Sequence, residues 1–179
     1  MSLIEIIKNT IIQNQSPIGF DEFMDLALYY PQLGYYRSGL EKFGEKGDFI
    51  TAPETSDLFG FCLAKQCAQV LKADDSILEF GAGSGVLATQ ILFELGRLNC
   101  LPKYYYILEL SAELRHRQEQ TIVKVLPELL ECVVWLDQLP EDFKGVVIAN
   151  EVLDAMPTKR VIQKNDNFHE LRVGIDNGQ

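Results

Sequence analysis

The sequence predicts an α/β chain built on a doubly wound parallel sheet and headed by a helical region. Three observations carry that prediction. Beyond residue 74, short apolar runs alternate with helical patterns; a glycine-rich turn follows the first of those runs; and before residue 74 the apolar residues recur at helical spacing. Strands that alternate with helices are joined by crossovers, and crossovers of this kind are right-handed and pair the strands in parallel.

Leu3, Ile4, Ile7 and Ile11 fall on one helical face. Phe20, Phe23, Met24, Ala27 and Leu28 repeat the pattern after the break at Ser16-Pro17, so two amphipathic helices are expected. Residues 31–53 are rich in Gly and Tyr (Gly34, Tyr35, Tyr36, Gly39, Gly44, Gly47), too irregular for a helix and too long for a plain connection. Their aromatic content argues against disorder. Ser56 caps a helix whose Phe61, Ala64, Ala68 and Leu71 share a face. Strands are expected at 76–80, 104–108, 132–136 and 146–149, with helices at 86–95 and 112–126. Residues 160–164 and 169–175 flank Asn165-Asp166-Asn167 as a hairpin. The expected organisation is thus 1–73, N-terminal helices and a lid-like loop; 74–159, a Rossmann-like binding core; and 160–179, the hairpin.

Composition narrows the function classes. With 179 residues, 47% of them hydrophobic, the chain is long enough for one domain with a real core. Sixteen basic against 26 acidic side chains give a net charge of −10, which repels phosphate backbones and argues against a nucleic-acid partner. The densest basic cluster, Arg115-His116-Arg117, reads as a solvated helix face. No apolar run approaches the roughly 18 residues of a membrane span, and no basic stretch followed by an apolar one opens the chain, so no membrane insertion and an internal compartment are expected. Cys62, Cys67, Cys100 and Cys132 match neither zinc nor redox spacing and read as reduced, mostly buried small hydrophobes. With His116 and His169 the only histidines, no metal site is expected.

The chemistry concentrates where the expected strands end. Ile77-Leu78-Glu79-Phe80-Gly81-Ala82-Gly83-Ser84-Gly85 runs a strand into a glycine turn that opens a helix. Alternate glycines let the backbone turn sharply and approach a ligand, and the helix start offers unpaired N–H groups, so a nucleotide-like cofactor is implied. Val86 stands where a dinucleotide fingerprint has its third glycine, and no Gly-Lys-Ser/Thr of a phosphate loop follows. With Glu79 two residues before the first glycine, the segment resembles motif I of S-adenosylmethionine-dependent methyltransferases of Rossmann-like fold. Glu109 ends the next strand, followed by Leu110, and its carboxylate can accept from both hydroxyls of a ribose. At the third strand's end Asp137, beside Gln138, is placed to take an adenine amino group, with Leu136 or Trp135 covering the ring. Asn150, Glu151 and Asp154 follow the fourth strand; the bland alternative for Asp154 is a cap on the next helix.

Taken together, Gly34-Tyr35-Tyr36, the segment Gly47-Asp48-Phe49-Ile50-Thr51-Ala52-Pro53-Glu54, the glycine turn and Asn150-Glu151-Val152-Leu153-Asp154-Ala155-Met156-Pro157 resemble the MidA-like methyltransferases. This family includes the mitochondrial complex I assembly factor that methylates protein arginine. The resemblance implies a class I methyltransferase sheet of Rossmann-like fold, S-adenosylmethionine as cofactor, and a protein substrate, a respiratory complex I subunit for the mitochondrial member. It implies cofactor contacts from Glu79, Gly81, Ala82, Gly83, Gly85, Glu109, Leu110, Asp137, Gln138 and Asn150. The carboxylates available to hold a guanidinium are Glu151, Asp154, Asp48 and Glu54, with Glu151 first, and residues 35–54 are expected to cover the site as a lid. Family members are about twice this length and carry seven strands. The sheet is therefore expected to be incomplete, with the hairpin leading into a further C-terminal part. Its fourth strand is expected either to have an open edge or to pair with the hairpin, and the chain alone to be inactive and prone to self-association. Bacterial cytoplasm, or the mitochondrial matrix in a eukaryote, is the implied location. A small-molecule methyltransferase and a cofactor-binding assembly factor without catalysis are the alternative functions.

Overall fold

A computed structural model describes residues 1–37 and 51–176. In chain order it contains α1 (Leu3–Asn14), β1 (Ile18–Gly19), α2 (Phe20–Tyr29), α3 (Ala52–Thr55), α4 (Asp57–Val70), β2 (Ser76–Phe80), α5 (Val86–Arg97), β3 (Tyr105–Leu108), α6 (Ala112–Val125), β4 (Val133–Leu136), β5 (Gly145–Ile148), β6 (Arg160–Lys164) and β7 (Asn167–Val173). The chain divides into two units, Met1–Leu40 with Leu153–Gln179, and Glu41–Val152.

In the first unit, α1 opens on a capping box: the Ser2 hydroxyl accepts from the Glu5 N–H while the Glu5 carboxylate accepts from the Ser2 N–H at 2.6 Å. Gln15, left-handed at φ 53°, ends it just before Ser16-Pro17. The expected apolar stripe is narrower than the sequence suggests, because Ile4 is 66% exposed while Ile11 is buried. The hairpin forms, but its turn is two residues, Asn165 and Asp166, both at positive φ. Asn167 pairs with Lys164, so the second strand begins two residues earlier than expected. Two central residues with φ > 0 match the right-handed twist of the flanking strands, which draws Asn167 into the ladder. The short β1 pairs antiparallel with β7, giving a three-stranded sheet in the order β1-β7-β6. The N-terminal helices and the C-terminal hairpin therefore share one unit. Lys159 fastens the hairpin by reaching Asp21 at 3.3 Å and Glu170 at 2.9 Å, and Arg160 lies 5.0 Å from the Phe20 ring centroid.

The second unit holds a parallel sheet in the order β4-β3-β2-β5. Its strands fall within a residue of the expected ones. Register sets Val133, Tyr105, Ile77 and Val146 side by side, then Trp135, Ile107, Glu79 and Ile148. The apolar members of these two rows form one core with Ala64 and Cys67 of α4, Leu87, Ala88, Ile91, Leu92 and Leu95 of α5, and Ile122 of α6. Ser56 caps α4 as expected, its hydroxyl accepting from the Leu58 N–H.

Helices on both faces, the expectation for a doubly wound sheet, are not what the described residues show. Of the alternate positions, Leu78 at the sheet's centre is buried, but Val134, Leu136, Tyr106, Leu108 and Phe80 are only half-buried and Val147 is exposed. A right-handed path through β2, α5, β3, α6 and β4 keeps its helices on one side, and the return to β5 over residues 137–144 contains no helix that could cover the other. Among the described residues β5 has β2 as its one neighbour in this sheet, and the hairpin pairs with β1, so of the two expectations for the fourth strand the open edge is the one these residues show.

Candidate active site

The carboxyl ends of β2, β3 and β5 lie along one edge of the parallel sheet, and strand order reverses at β2. That reversal opens the crevice in which α/β sheets bind ligands. Gly81, Gly83 and Gly85 take φ of 57°, 55° and 83°, conformations that side-chain-bearing residues adopt only under strain. A Cβ added at Gly85 would press on Gln118 Cα at 3.0 Å, so this glycine is required for α5 and α6 to approach each other. At Gly81 the nearest contact would be Val152, at an ordinary 3.8 Å. The segment after β5 thus runs beside the turn.

Glu109 is buried at the tip of β3. Its Oε1 accepts from the Ser111 N–H at 2.9 Å and its Oε2 from Gln118 Nε2 at 3.1 Å. Burial raises its carboxyl, opposed by these bonds and by the Arg115 charge. The acceptor capacity of the carboxylate beyond these bonds is open to a ligand's hydroxyls. A buried acceptor beside a glycine cradle fits the nucleoside end of a cofactor.

Residues that the sequence left aside organise this edge. Gln118 is fully buried: its Nε2 donates to Gly83 O and to Glu109, both at 3.1 Å, and its Oε1 accepts from Trp135 Nε1 at 2.9 Å. The signal was present, since Gln118 interrupts the stripe Leu114, Gln118, Ile122 on the buried face of α6. Arg115 overturns the reading of its cluster as a solvated face. Its guanidinium donates to Glu109 O at 2.7 Å, to Leu136 O at 2.8 Å and to Asp137 Oδ1 at 2.7 Å, clasping the tips of β3 and β4. Those carbonyls, left unpaired where the strands part, are what draw it inward. Gln90 of α5 donates to Pro53 O at 2.9 Å and Asp57 Oδ1 at 3.0 Å, and the Ser84 hydroxyl donates to the Glu54 carboxylate, so the Thr51-Ala52-Pro53-Glu54 segment is tied to the glycine turn.

The remaining candidates divide as follows. Ala82 is buried in the turn; Leu110, 61% exposed, Asp137 and Gln138 lie open beside the tips of β3 and β4. Asn150 is half-buried, and Glu151 is exposed with φ 51°, a left-handed conformation that is strained for a glutamate. Asp154 belongs to the first unit, in a 3-10 turn at Leu153–Ala155, where its charge adds to burial in raising the Tyr36 phenol. Asp48, and the 38–50 stretch of the expected lid, lie outside the described residues. Of the cysteines, Cys67 is buried, Cys100 and Cys132 are half-buried and Cys62 is exposed, so the expectation that most are buried overstates it; the helix face carrying Cys62 points away from the core. Among the described residues no group of three or more His, Cys, Asp or Glu side chains could hold a metal ion, and no helix is long and apolar enough to cross a membrane.

Glu79 sits in the core, 2% exposed, its Oε2 accepting from Tyr105 Oη at 2.8 Å. Burial pushes its carboxyl up to about 7; the Tyr105 bond opposes the shift and the Glu109 charge adds to it. Above its ordinary value of 4.5 the unfolded carboxyl ionises while the folded one keeps its proton, so this group lowers stability as pH rises towards 7, by on the order of 3 kcal/mol. Glu79→Gln keeps an acceptor for Tyr105 and removes the titration. Urea unfolding is expected to give equal stabilities near pH 3, below the unfolded value, and a variant more stable by about 1–3 kcal/mol at pH 8. Identical pH slopes would contradict this placement.

A parallel sheet with a glycine turn and a buried acidic strand tip at its switch edge defines a nucleoside-cofactor fold of the methyltransferase type. Over residues 62–179 the sequence matches the family described as "Putative S-adenosyl-L-methionine-dependent methyltransferase", and the chain belongs to that family. It is 28% identical over 195 residues to the mitochondrial protein arginine methyltransferase NDUFAF7 of Xenopus tropicalis, covering 93% of this chain and 45% of the relative. The Caenorhabditis elegans NDUFAF7 homolog is 27% identical over 92% of this chain and 44% of its own length. A Burkholderia thailandensis superfamily member crystallised with S-adenosyl-homocysteine superimposes with a TM-score of 0.89 at 42% identity, over 98% of this chain and 47% of that one. The expected MidA-like family and incomplete sheet are borne out, and the chain spans about half the length of the relatives it matches.

Proposed function

We propose that the protein of which this chain forms part is an S-adenosylmethionine-dependent methyltransferase acting on a protein arginine. The observation that carries the reading is the buried Glu109 carboxylate, held by Gln118 and Ser111 beside the Gly81–Gly85 turn. Family membership and the S-adenosyl-homocysteine-bound relative support it. When bound, S-adenosylmethionine supplies an electrophilic methyl group. The turn and Glu109 hold its nucleoside, with Ala82, Leu110, Asp137, Gln138 and Asn150 around it, and Glu79 supports the strand beneath. An arginine acceptor is a resonance-stabilised cation, so a carboxylate that orients it is needed. Glu151, presented by a strained backbone just past β5, is the first candidate. Asp154, Asp48 and Glu54 follow it, although Glu54 already accepts from Ser84.

The names of the curated relatives, mitochondrial protein arginine methyltransferases, support a protein acceptor; the mitochondrial matrix is proposed for a eukaryotic source and the cytoplasm for a bacterial one. A respiratory complex I subunit is the proposed partner, and self-association through the open β5 edge is part of the same reading. The test is methyl transfer by the full-length protein to such a subunit, with the modified residue located by mass spectrometry. Transfer to arginine is expected, with turnover falling about 10²-fold in Glu151→Gln while cofactor affinity holds. Methyl found only on small molecules, or cofactor binding without any transfer, would replace the arginine reading.

A further inference from the structure

Gln118 touches three parts of the carboxyl edge at once: the glycine turn at Gly83, the β3 tip at Glu109 and the β4 strand at Trp135. Trp135 is the sole tryptophan of these 179 residues, and an indole N–H can only donate. It therefore fixes which end of the Gln118 amide faces it: Oε1 turns to the indole, and the NH₂ group must face Glu109 and Gly83. Both amide hydrogens have acceptors, one on a charged group, so the side chain has a single consistent orientation although it is fully buried. Ser111 holds the other carboxylate oxygen through a backbone N–H, leaving Gln118 as the side chain that sets the plane of the Glu109 carboxylate.

We propose that Gln118 is a positioning residue for the cofactor's ribose, orienting the Glu109 carboxylate and tying it to the Gly83 turn, with Trp135 as the group that locks its amide. This rests on the cofactor reading above. Gln118 does not itself contact the ribose; it acts through Glu109. The part of its contribution that runs through Glu109 therefore shrinks once that carboxylate is replaced, and this coupling separates it from a residue that merely fills the core.

The test is calorimetric titration of S-adenosyl-homocysteine into the full-length protein and its variants Gln118→Met, Gln118→Glu, Glu109→Gln and the Met/Gln double variant. Gln118→Met keeps the volume and removes the bonds, and it is expected to weaken binding about 10-fold or more. The double variant is expected to lose less than the two single losses combined, because the Gln118–Glu109 bond is counted in both. Gln118→Glu keeps an acceptor for Trp135, whose indole N–H resonance, assigned by its disappearance in Trp135→Phe, is expected to stay in place. It sets two carboxylates against each other, so its affinity is expected to drop further than that of Gln118→Met. If Gln118→Met fails to fold, Gln118→Glu carries the test by the same two readouts. Wild-type binding with unchanged affinity in the Gln118 variants, or losses that multiply in the double variant, overturns this inference alone. Absence of wild-type binding overturns the cofactor reading and this inference with it.

Discussion

Gly145→Ala is expected to destabilise the unit containing the parallel sheet by more than about 3 kcal/mol, an overpacking cost added to a strained backbone. Gly145 opens β5 opposite Ser76, and its φ of 142° is one that L side chains rarely adopt. A Cβ there would collide with the Ser76 carbonyl oxygen and stand 2.8 Å from the Ser76 N and carbonyl C. All three are backbone atoms of the strand at the sheet's centre, so no side-chain rotation relieves the clash. β5 would have to lift away, and among the described residues β2 is the one strand that holds it. The lift would also shift Asn150 and Glu151 from the candidate site. Urea unfolding of the variant checks this. A loss under about 1 kcal/mol would mean that β5 does not start where the register places it.

Glu109→Ala is expected to weaken S-adenosyl-homocysteine binding by about 1.5–3 kcal/mol, the worth of hydrogen bonds to a charged group. The part-buried Ser111 N–H and the buried Gln118 amide each lose an acceptor in that variant, the amide keeping Gly83 O, so part of the cost falls on folding. Glu109→Gln separates the two effects by keeping the shape and one acceptor oxygen. It is expected to melt between Glu109→Ala and the wild type, because its NH₂ group must face either the Ser111 N–H or the Gln118 amide, and still to bind poorly. Titration together with thermal unfolding reads both quantities, and full affinity in Glu109→Gln would remove the ribose assignment.

What could be read from the residues and what could not follow from the range of the interactions involved. The turn Gly81 to Gly85 is local: its glycines declare their positive φ, and the strand before it and helix after it follow from apolar runs of a few residues. The two-residue hairpin turn was misplaced because Asn165, Asp166 and Asn167 are all acceptable turn residues, and only pairing with the partner strand decides which of them is used. The β1–β7 pairing joins residues 18 and 173, a contact that no periodicity announces. Arg115 and Gln118 were missed for a different reason. A polar side chain on a helix looks the same in sequence whether it meets water or the end of a strand, and what drew these two inward, carbonyls and a carboxylate at the tips of β3 and β4, comes from other elements of the sheet. Glu109 is legible as a candidate because a carboxylate at a strand end stands where a ribose is held in folds of this kind.

If the β2–β3 carboxyl edge holds a nucleoside cofactor, calorimetric titration of the full-length wild-type protein with S-adenosyl-homocysteine, beside Glu109→Ala, gives saturable one-to-one binding by the wild type and at least about a 10-fold weaker isotherm for the variant. No heat of binding by the folded wild type, or equal affinities for the two proteins, would contradict it.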